Sequence, residues 1–149
     1  MADISLPKPV KFFVGILSCD EELLADVESI LIKRFGEVDM KSEIIPFNFT
    51  DYYTKEMGAN ISRQFICFKK LINPEELSAF KIWTNELEDK FKHNNRFNVI
   101  RPINLDPGYL THCNLILAST KKYYHRIHLQ DGIYAEVTLV YQHEIFKNL

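Results

Sequence analysis

The run VKFFVGIL at residues 10–17 constrains the fold most, because apolar and β-prone side chains fill it almost without interruption. Such a run is typical of a strand buried on both faces in the middle of a sheet. Ser18 and Glu21 follow with the spacing of a capping box, and Gly36 is a natural helix stop. Between them apolar residues recur at helical spacing: Leu23, Leu24, Val27, Ile30 and Leu31. The sequence therefore predicts a central strand that leads into a helix over residues 20–35.

The chain then alternates extended and helical segments. A second helix should begin with Asn73 as cap and Pro74 as its first residue, and end near residues 93–95. Pro46 indicates a sheet edge or a kink. Further strands are predicted at three places: residues 40–49, 63–71 and 97–103. The resulting strand-helix-strand-strand-helix-strand order is the ferredoxin-like split βαβ order, an α+β fold with a largely antiparallel sheet and helices mainly on one face.

Additional strands follow this unit, and we treat residues 1–149 as a single α+β domain. Residues 110–118 fit a strand or a short helix, and Thr111 with the Leu-Ile-Leu run favours the strand. Residues 125–129 and 133–141 are predicted to form a hairpin around Asp131 and Gly132.

The hairpin allows two registers. A two-residue turn would set Glu136 opposite Ile127 and mix polar with apolar residues on each face. A three-residue turn over residues 130–132, with Gly132 left-handed, separates them. Its pairs are Arg126 with Glu136, Ile127 with Ala135, His128 with Tyr134, Leu129 with Ile133, and His125 with Val137. We predict this second register.

Composition argues against several functions. The net charge of -2 and the sequence pI of about 6.2 give no basic excess for binding nucleic-acid backbones. No signal-peptide pattern opens the chain, and no apolar stretch approaches the roughly 20 residues of a membrane helix. Cys19, Cys67 and Cys113 lack CxxC spacing, as in proteins of a reducing compartment. We therefore expect a cytoplasmic protein that binds neither membrane nor nucleic acid.

Six ordered blocks carry a family resemblance: KPVKFFVGILS, FNFTDYYTKEMG, WTNELE, NLDPGYL, ILASTKKYYHRIHL and GIYAEVTLVY. Together they resemble the domain-of-unknown-function 4416 family of bacterial proteins, from Lys8 to about Tyr141. Some members of that family carry an automatic label of GTP-binding protein. The chain has neither a GxxxxGK[ST] phosphate loop nor an Asn-Lys-x-Asp motif, which argues against a conventional GTPase. Nucleotide binding by another geometry stays open.

Three polar segments are candidates for a ligand site, because loops held by a rigid sheet often carry binding residues. They are the connection at residues 51–58, a turn predicted from Asp-Pro-Gly at 104–109, and a turn at 119–122. Hydroxyls beside a lysine can hold a phosphate or carboxylate. Plain turns and aromatic packing are the structural alternatives. The candidate ligand-binding residues are Asp51, Tyr52, Glu56, Asn104, Asp106, Gly108, Tyr109, Ser119, Thr120, Lys121, His125, Arg126 and Glu136.

Named catalytic motifs are not found in the sequence. A metal site would need His125 or His128 together with distant carboxylates, and no HxH or HExxH spacing supports one. A GxSxG elbow is also absent. We therefore predict no metal, and the sequence leaves both catalysis and any cofactor open.

Two functions remain. The first is binding of an anionic ligand, such as a phosphorylated compound or a nucleotide, at the three polar segments, with or without catalysis. The second is a non-catalytic interaction module that forms a homodimer through a sheet edge or the C-terminal hairpin. A concave pocket where the segments converge would favour the first, and a flat polar cluster with an apolar patch elsewhere would favour the second.

Overall fold

A computed structural model describes residues 1–94 and 96–149. Its helices are α1 (Glu21–Phe35), α2 (Thr54–Met57) and α3 (Leu77–Lys92), with 3-10 turns at Asp51–Tyr53 and Pro74–Glu76. Its strands are β1 (Lys11–Ser18), β2 (Val38–Lys41), β3 (Ile45–Pro46), β4 (Ser62–Phe68), β5 (Ile103–Leu110), β6 (Asn114–Ser119), β7 (Arg126–Gln130), β8 (Ile133–Gln142) and β9 (Ile145–Asn148).

The strands of the described residues form one sheet in the order β2-β4-β1-β5-β6-β8-β7, with β3 beside β4 and β9 beside β8. Every pairing is antiparallel. The predicted α+β class with a largely antiparallel sheet is confirmed. Within the described residues, no helix has the length and apolar character needed to cross a membrane.

The core lies where β1 meets the two long helices. Phe12, Val14 and Ile16 are fully buried, and residues of both α1 and α3 belong to the same apolar cluster. We call this side of the sheet the helix face. Side chains alternate along a strand, so Gly15 and Leu17 lie on the opposite side, the second face. The central position predicted for residues 10–17 is confirmed.

Both long helices begin and end near the predicted places. Asp20, and not the Ser18–Glu21 pair, caps α1: its Oδ1 accepts hydrogen bonds from the N–H groups of Glu22 at 2.7 Å and Leu23 at 3.2 Å. Asp20 lies immediately before the helix, where its short side chain reaches the free N–H groups. Gly36 ends α1 at φ 94°, as predicted.

The second long helix follows its predicted start signal. The Glu76 carboxylate accepts the backbone N–H of Asn73 at 2.9 Å, and Pro74 opens a 3-10 turn before α3. The helix ends at Lys92, close to the predicted end. Asn95, part of that predicted end, lies outside the described residues.

The prediction was wrong for the fourth strand. Residues 97–100 form no strand, and the Asp-Pro-Gly segment predicted to be a turn lies inside β5. The backbone groups of Leu105 point away from β1 and bond to side chains of α3. The backbone groups of Pro107, two residues after Leu105, also point away from β1. The N–H that proline lacks would therefore not have bonded to β1. Gly108 fits because a Cβ there would collide with the backbone oxygen of Ile116.

The remaining boundaries differ modestly. Leu110 belongs to β5, and the strand favoured over residues 110–118 is β6, which begins at Asn114. The segment predicted at 40–49 is two short strands, and Pro46 ends the second of them, β3, beside β4. Strand β9 was not predicted; it follows a tight turn in which His143 and Glu144 have positive φ.

The predicted hairpin pairs are confirmed for Arg126 with Glu136, Ile127 with Ala135, and His128 with Tyr134. The predicted positive φ of Gly132 is confirmed, at 74°. The turn differs in that Asp131 also has a positive φ, 51°, and the predicted pair of Leu129 with Ile133 is wrong, because Ile133 pairs with Gln130. An irregularity at Leu129 absorbs the extra residue, so the separation of polar and apolar faces is kept. His125 lies just outside β7 and forms no pair in this register.

Candidate functional site

The sheet opens between β5 and β6. Residues 108–110 of β5 pair with residues 115–117 of β6, whereas the earlier half of β5 has no such partner. A cavity of about 290 Å³ lies at this opening. Its walls come from β5, β6, the 3-10 turn at Asp51–Tyr53 and the loop before β7, and side chains of α3 contribute as well. Segments that are distant in sequence, from Tyr52 to Glu136, therefore meet at one place.

Side chains of α3 satisfy the free edge of β5. The Lys81 ammonium donates to the Leu105 carbonyl at 2.8 Å, and a Glu88 oxygen accepts the Leu105 N–H at 2.6 Å. Both residues are buried, at 6% and 4% exposure. Burying such groups is tolerated because each is hydrogen-bonded. The helix thereby takes the place of a neighbouring strand and keeps the opening in the sheet.

Asp106 is one carboxylate of the cavity. It lies on the second face, opposite Gly15 of β1, and its side chain accepts a hydrogen bond from the Asn104 amide at 2.8 Å. The Lys81 ammonium is 3.7 Å from its other oxygen. Asp106 therefore stands between a cation and an amide donor, with part of its surface facing solvent.

Arg126 and Glu136 form the opposite wall. The Arg126 Nε donates to Glu136 at 2.6 Å, and its Nη1 donates to the Ser119 hydroxyl and the Lys121 carbonyl, each at 3.0 Å. These bonds hold the loop after β6 in place. His125 is beside this pair, with its Nε2 3.6 Å from Glu136.

Lys121 connects this loop to the 3-10 turn. Its ammonium donates to the Tyr52 hydroxyl at 2.7 Å and lies 4.7 Å from the centre of that ring. Donating this hydrogen bond to Tyr52 favours the charged form of Lys121 and raises its pKa above the ordinary value. Because the partner is a hydroxyl group and not a carboxylate, this contact does not pair the positive charge of Lys121 with a negative one.

Tyr53 presents a second phenol. Burial raises its pKa, and the nearby Asp106 carboxylate adds to the effect. A raised pKa keeps this hydroxyl protonated at neutral pH, so it can donate a hydrogen bond. Tyr53 is therefore a neutral donor close to Asp106.

Arg101 is the most constrained cation of the cavity wall. Its guanidinium donates to Glu88 at 2.9 Å and lies 3.5 Å from Glu56. Burial opposes its charge, but the hydrogen bond and charge of Glu88 outweigh this, and the pKa is raised. Its Nε is buried with no hydrogen-bond acceptor among the described residues.

The structure brings part of the predicted set together. The cavity is lined by these predicted residues: Tyr52, Asn104, Asp106, Ser119, Thr120, Lys121, Arg126 and Glu136. The others lie elsewhere. Asp51 begins the exposed 3-10 turn and Glu56 lines a neighbouring hollow. Gly108 and Tyr109 are paired inside the sheet, and His125 contacts Glu136 from outside the lining.

Tyr53 lies in the candidate segment at 51–58, although it was not among the individual residues predicted to bind ligand. Sequence reasoning missed the cavity residues Lys81, Asn85, Arg101, Leu117 and Ala118. A signal existed for α3. Lys81, Asn85 and Glu88 recur at helical spacing beside the apolar stripe, and such a polar stripe would be buried only if it met a polar surface. Nothing in the local pattern around Arg101 distinguishes it from a surface arginine.

A larger hollow of about 730 Å³ lies at the other end of β5, near Pro7, Leu71 and Tyr109. It is mostly apolar and does not gather the converging charges found between β5 and β6. Among residues 1–94 and 96–149, no group of three or more His, Cys, Asp or Glu side chains could hold a metal ion. We therefore take the cavity beside β6 as the candidate site because of its charged lining, although the apolar hollow is larger.

The chain that forms this antiparallel sheet and its polar opening matches one family of known sequences. The family model described as Domain of unknown function (DUF4416) matches residues 8–149, nearly the whole chain. The protein therefore belongs to that family, as the six sequence blocks indicated. No curated protein and no solved structure matches the chain.

Proposed function

We propose that the protein binds a small anionic ligand, such as a phosphorylated compound or a nucleotide, in the cavity between β5 and β6. Four cationic side chains line this cavity, and three of them lie within 4 Å of carboxylates: Lys81 near Asp106, Arg101 near Glu88 and Glu56, and Arg126 near Glu136. Lys121 has no carboxylate partner among the described residues, and such a positive charge in a concave site favours an anion. The volume, about 290 Å³, suits a small molecule or the anionic end of a larger one.

The free charge of Lys121 is the observation that carries this proposal. The other cations are engaged in the fold: Lys81 bonds to the β5 backbone, and Arg101 and Arg126 bond to buried or half-buried carboxylates. Lys121 instead donates to a phenol hydroxyl. An incoming phosphate would replace this acceptor with an anionic one, which an ammonium binds more strongly.

Further donors surround the same space. The Tyr53 hydroxyl stays protonated, and the Ser119 and Thr120 hydroxyls line the wall. Arg101 lines the same wall, with its side chain 23% exposed. A bound anion would accept hydrogen bonds from groups of this wall.

Calorimetric titration with methyl phosphate tests the proposal. The wild type should bind, and Lys121→Ala should weaken binding by about ten- to a hundredfold, because a charge-assisted contact contributes about 1.5–3 kcal/mol. Lys122→Ala is the matched control: its exposed side chain does not line the cavity, so its affinity should equal that of the wild type. Equal losses in the two variants, or no binding by the wild type, would refute the proposal.

A homodimer is the second candidate, supported by the apolar residues exposed near the outer edge of the sheet. Ile127 on β7 and Ile145 on β9 are 69% and 55% exposed. Edge strands with exposed apolar side chains can pair with another chain. Sedimentation of the wild type and of Ile127→Lys tests this: a dimer that dissociates in the variant supports it, and a wild-type monomer at all concentrations refutes it.

We also infer that the part of the chain from β1 to β5 is a ferredoxin-like split unit. The support is the order β2-β4-β1-β5 with α1 and α3 packed in one cluster. A cytoplasmic location is likewise inferred from Cys19, Cys67 and Cys113, all of them free.

A further inference from the structure

The second face of the sheet continues the cavity towards β4. Gly15 of β1 pairs with Asp106 on one side and with Phe65 on the other, so the three residues form one row across the sheet. Gly15 has no side chain to interrupt this row. The Phe65 ring lies over it, since a Cβ on Gly15 would be 3.0 Å from the ring carbon Cε1. The Phe65 ring over Gly15 therefore forms an apolar floor in the same row as Asp106.

Arg63 adds a cation to this floor. It lies on β4 two residues from Phe65 and faces the same side. Its guanidinium carbon is 5.2 Å from the ring centres of Phe47 and Phe65 and 5.4 Å from that of Phe49. Its Nε is buried without a hydrogen-bond acceptor in the described part of the chain. We call Arg63, Phe49 and Phe65 the aromatic platform.

Ring contacts lead from the aromatic platform to the cavity. Phe49 packs against Phe47 with ring centres 5.7 Å apart, and Phe47 packs against Tyr53 at 5.9 Å. Tyr53 lines the cavity. Phe49 is 72% exposed and Phe65 38%, so two large rings face solvent next to a polar site. Exposed apolar surface bordering a polar pocket is typical of a ligand groove.

We propose that the aromatic platform receives an aromatic ring of the ligand whose anionic group occupies the cavity. The ligand class is then an anion that bears an aromatic ring, such as an aryl phosphate. This inference rests on the proposed function, because the same molecule would occupy both places. Neighbouring strands are about 4.8 Å apart, so a ring attached to a phosphate beside β5 reaches the Phe65 ring above β1. Stacking on Phe65 and on the Arg63 guanidinium would hold it.

Calorimetry with two phosphate esters tests the inference. The wild type should bind 1-naphthyl phosphate about tenfold more tightly than methyl phosphate. Phe65→Ala should remove most of this advantage and leave the affinity for methyl phosphate unchanged. Phe146→Ala is the matched control, because Phe146 is similarly exposed, at 41%, but lies on β9. It should leave both affinities unchanged.

The outcomes separate the two proposals. If methyl phosphate binds and the naphthyl ester binds no more tightly, the aromatic platform is refuted while anion binding stands. The same holds if the advantage of the naphthyl ester survives in Phe65→Ala. If neither ester binds, both proposals fail. The comparison of the two esters on the wild type needs no variant, so a folding defect in Phe65→Ala could not mask the result.

Discussion

The Glu88 carboxylate accepts a hydrogen bond from the backbone N–H of Leu105 at 2.6 Å. A helix side chain thus satisfies a strand edge that a neighbouring strand would otherwise occupy. The same carboxylate also accepts from Arg101 at 2.9 Å, so it joins the open edge of β5 to a cation of the cavity. The opening between β5 and β6 depends on this residue.

Removing Glu88 should destabilise the whole fold. Glu88→Ala leaves a backbone N–H and the half-buried Arg101 without their partner, which should lower the free energy of unfolding by about 3–5 kcal/mol. Urea denaturation followed by circular dichroism measures the change. Glu86→Ala on the same helix is exposed and should change stability by less than about 0.5 kcal/mol. A loss in Glu88→Ala no larger than in Glu86→Ala would contradict this role.

The β5 correction shows what local pattern can and cannot determine. The unbroken apolar run at residues 10–17 identified β1, because burial of a continuous run depends little on the rest of the fold. Asp106-Pro107-Gly108 has the composition of a turn, yet it is a strand. The nitrogen of Pro107, which carries no hydrogen, faces a part of the sheet where no strand pairs. Leu105, two residues earlier, bonds to α3 instead of to a strand on that side. That information lies in tertiary contacts and not in the segment itself.

The hairpin pair of Arg126 and Glu136 should be worth more than a surface ion pair. Their side chains are only 15% and 24% exposed, and the bond length is 2.6 Å. Glu136→Gln should therefore lower the free energy of unfolding by about 1.5 kcal/mol, as measured by urea denaturation. Glu37→Gln breaks the exposed pair with Lys69 and should cost under about 0.5 kcal/mol. If both variants lose the same small amount, Arg126 is not held by this pair.

Anion affinity should be constant at moderately alkaline pH and fall at high pH. The pKa of Tyr53 is raised above 10.0 by burial, and that of Lys121 above 10.5 by its bond to Tyr52, so both stay protonated well above neutrality. Methyl phosphate is a dianion above about pH 7. Titrations from about pH 8 to about pH 9.5 should therefore give the same affinity. At higher pH the affinity should decline, as Lys121 loses its proton while pH rises through its raised pKa. A decline that begins near about pH 8 would contradict these protonation states.

The candidate site was predicted in part for a physical reason. Residues such as Ser119 and Lys121 stand in a loop after an apolar strand, and loops of this kind can be recognised from composition. Lys81 and Arg101 were not predicted as site residues, because their role depends on α3 lying against an unpaired strand edge. Gly108 and Tyr109 were included only because their segment was predicted to be a turn, and its pairing with β6 removes them from the cavity.

The backbone N–H groups of Ser119, Thr120 and Lys121 offer the most direct test of anion binding. These residues line the cavity, so a bound phosphate should change the surroundings of their N–H groups. In a ¹H–¹⁵N correlation spectrum, titration with methyl phosphate should shift these three signals. The account predicts saturable shifts confined to residues of the cavity. Shifts spread over other surfaces, or signals of residues 119–121 that do not move at saturating phosphate, would contradict it.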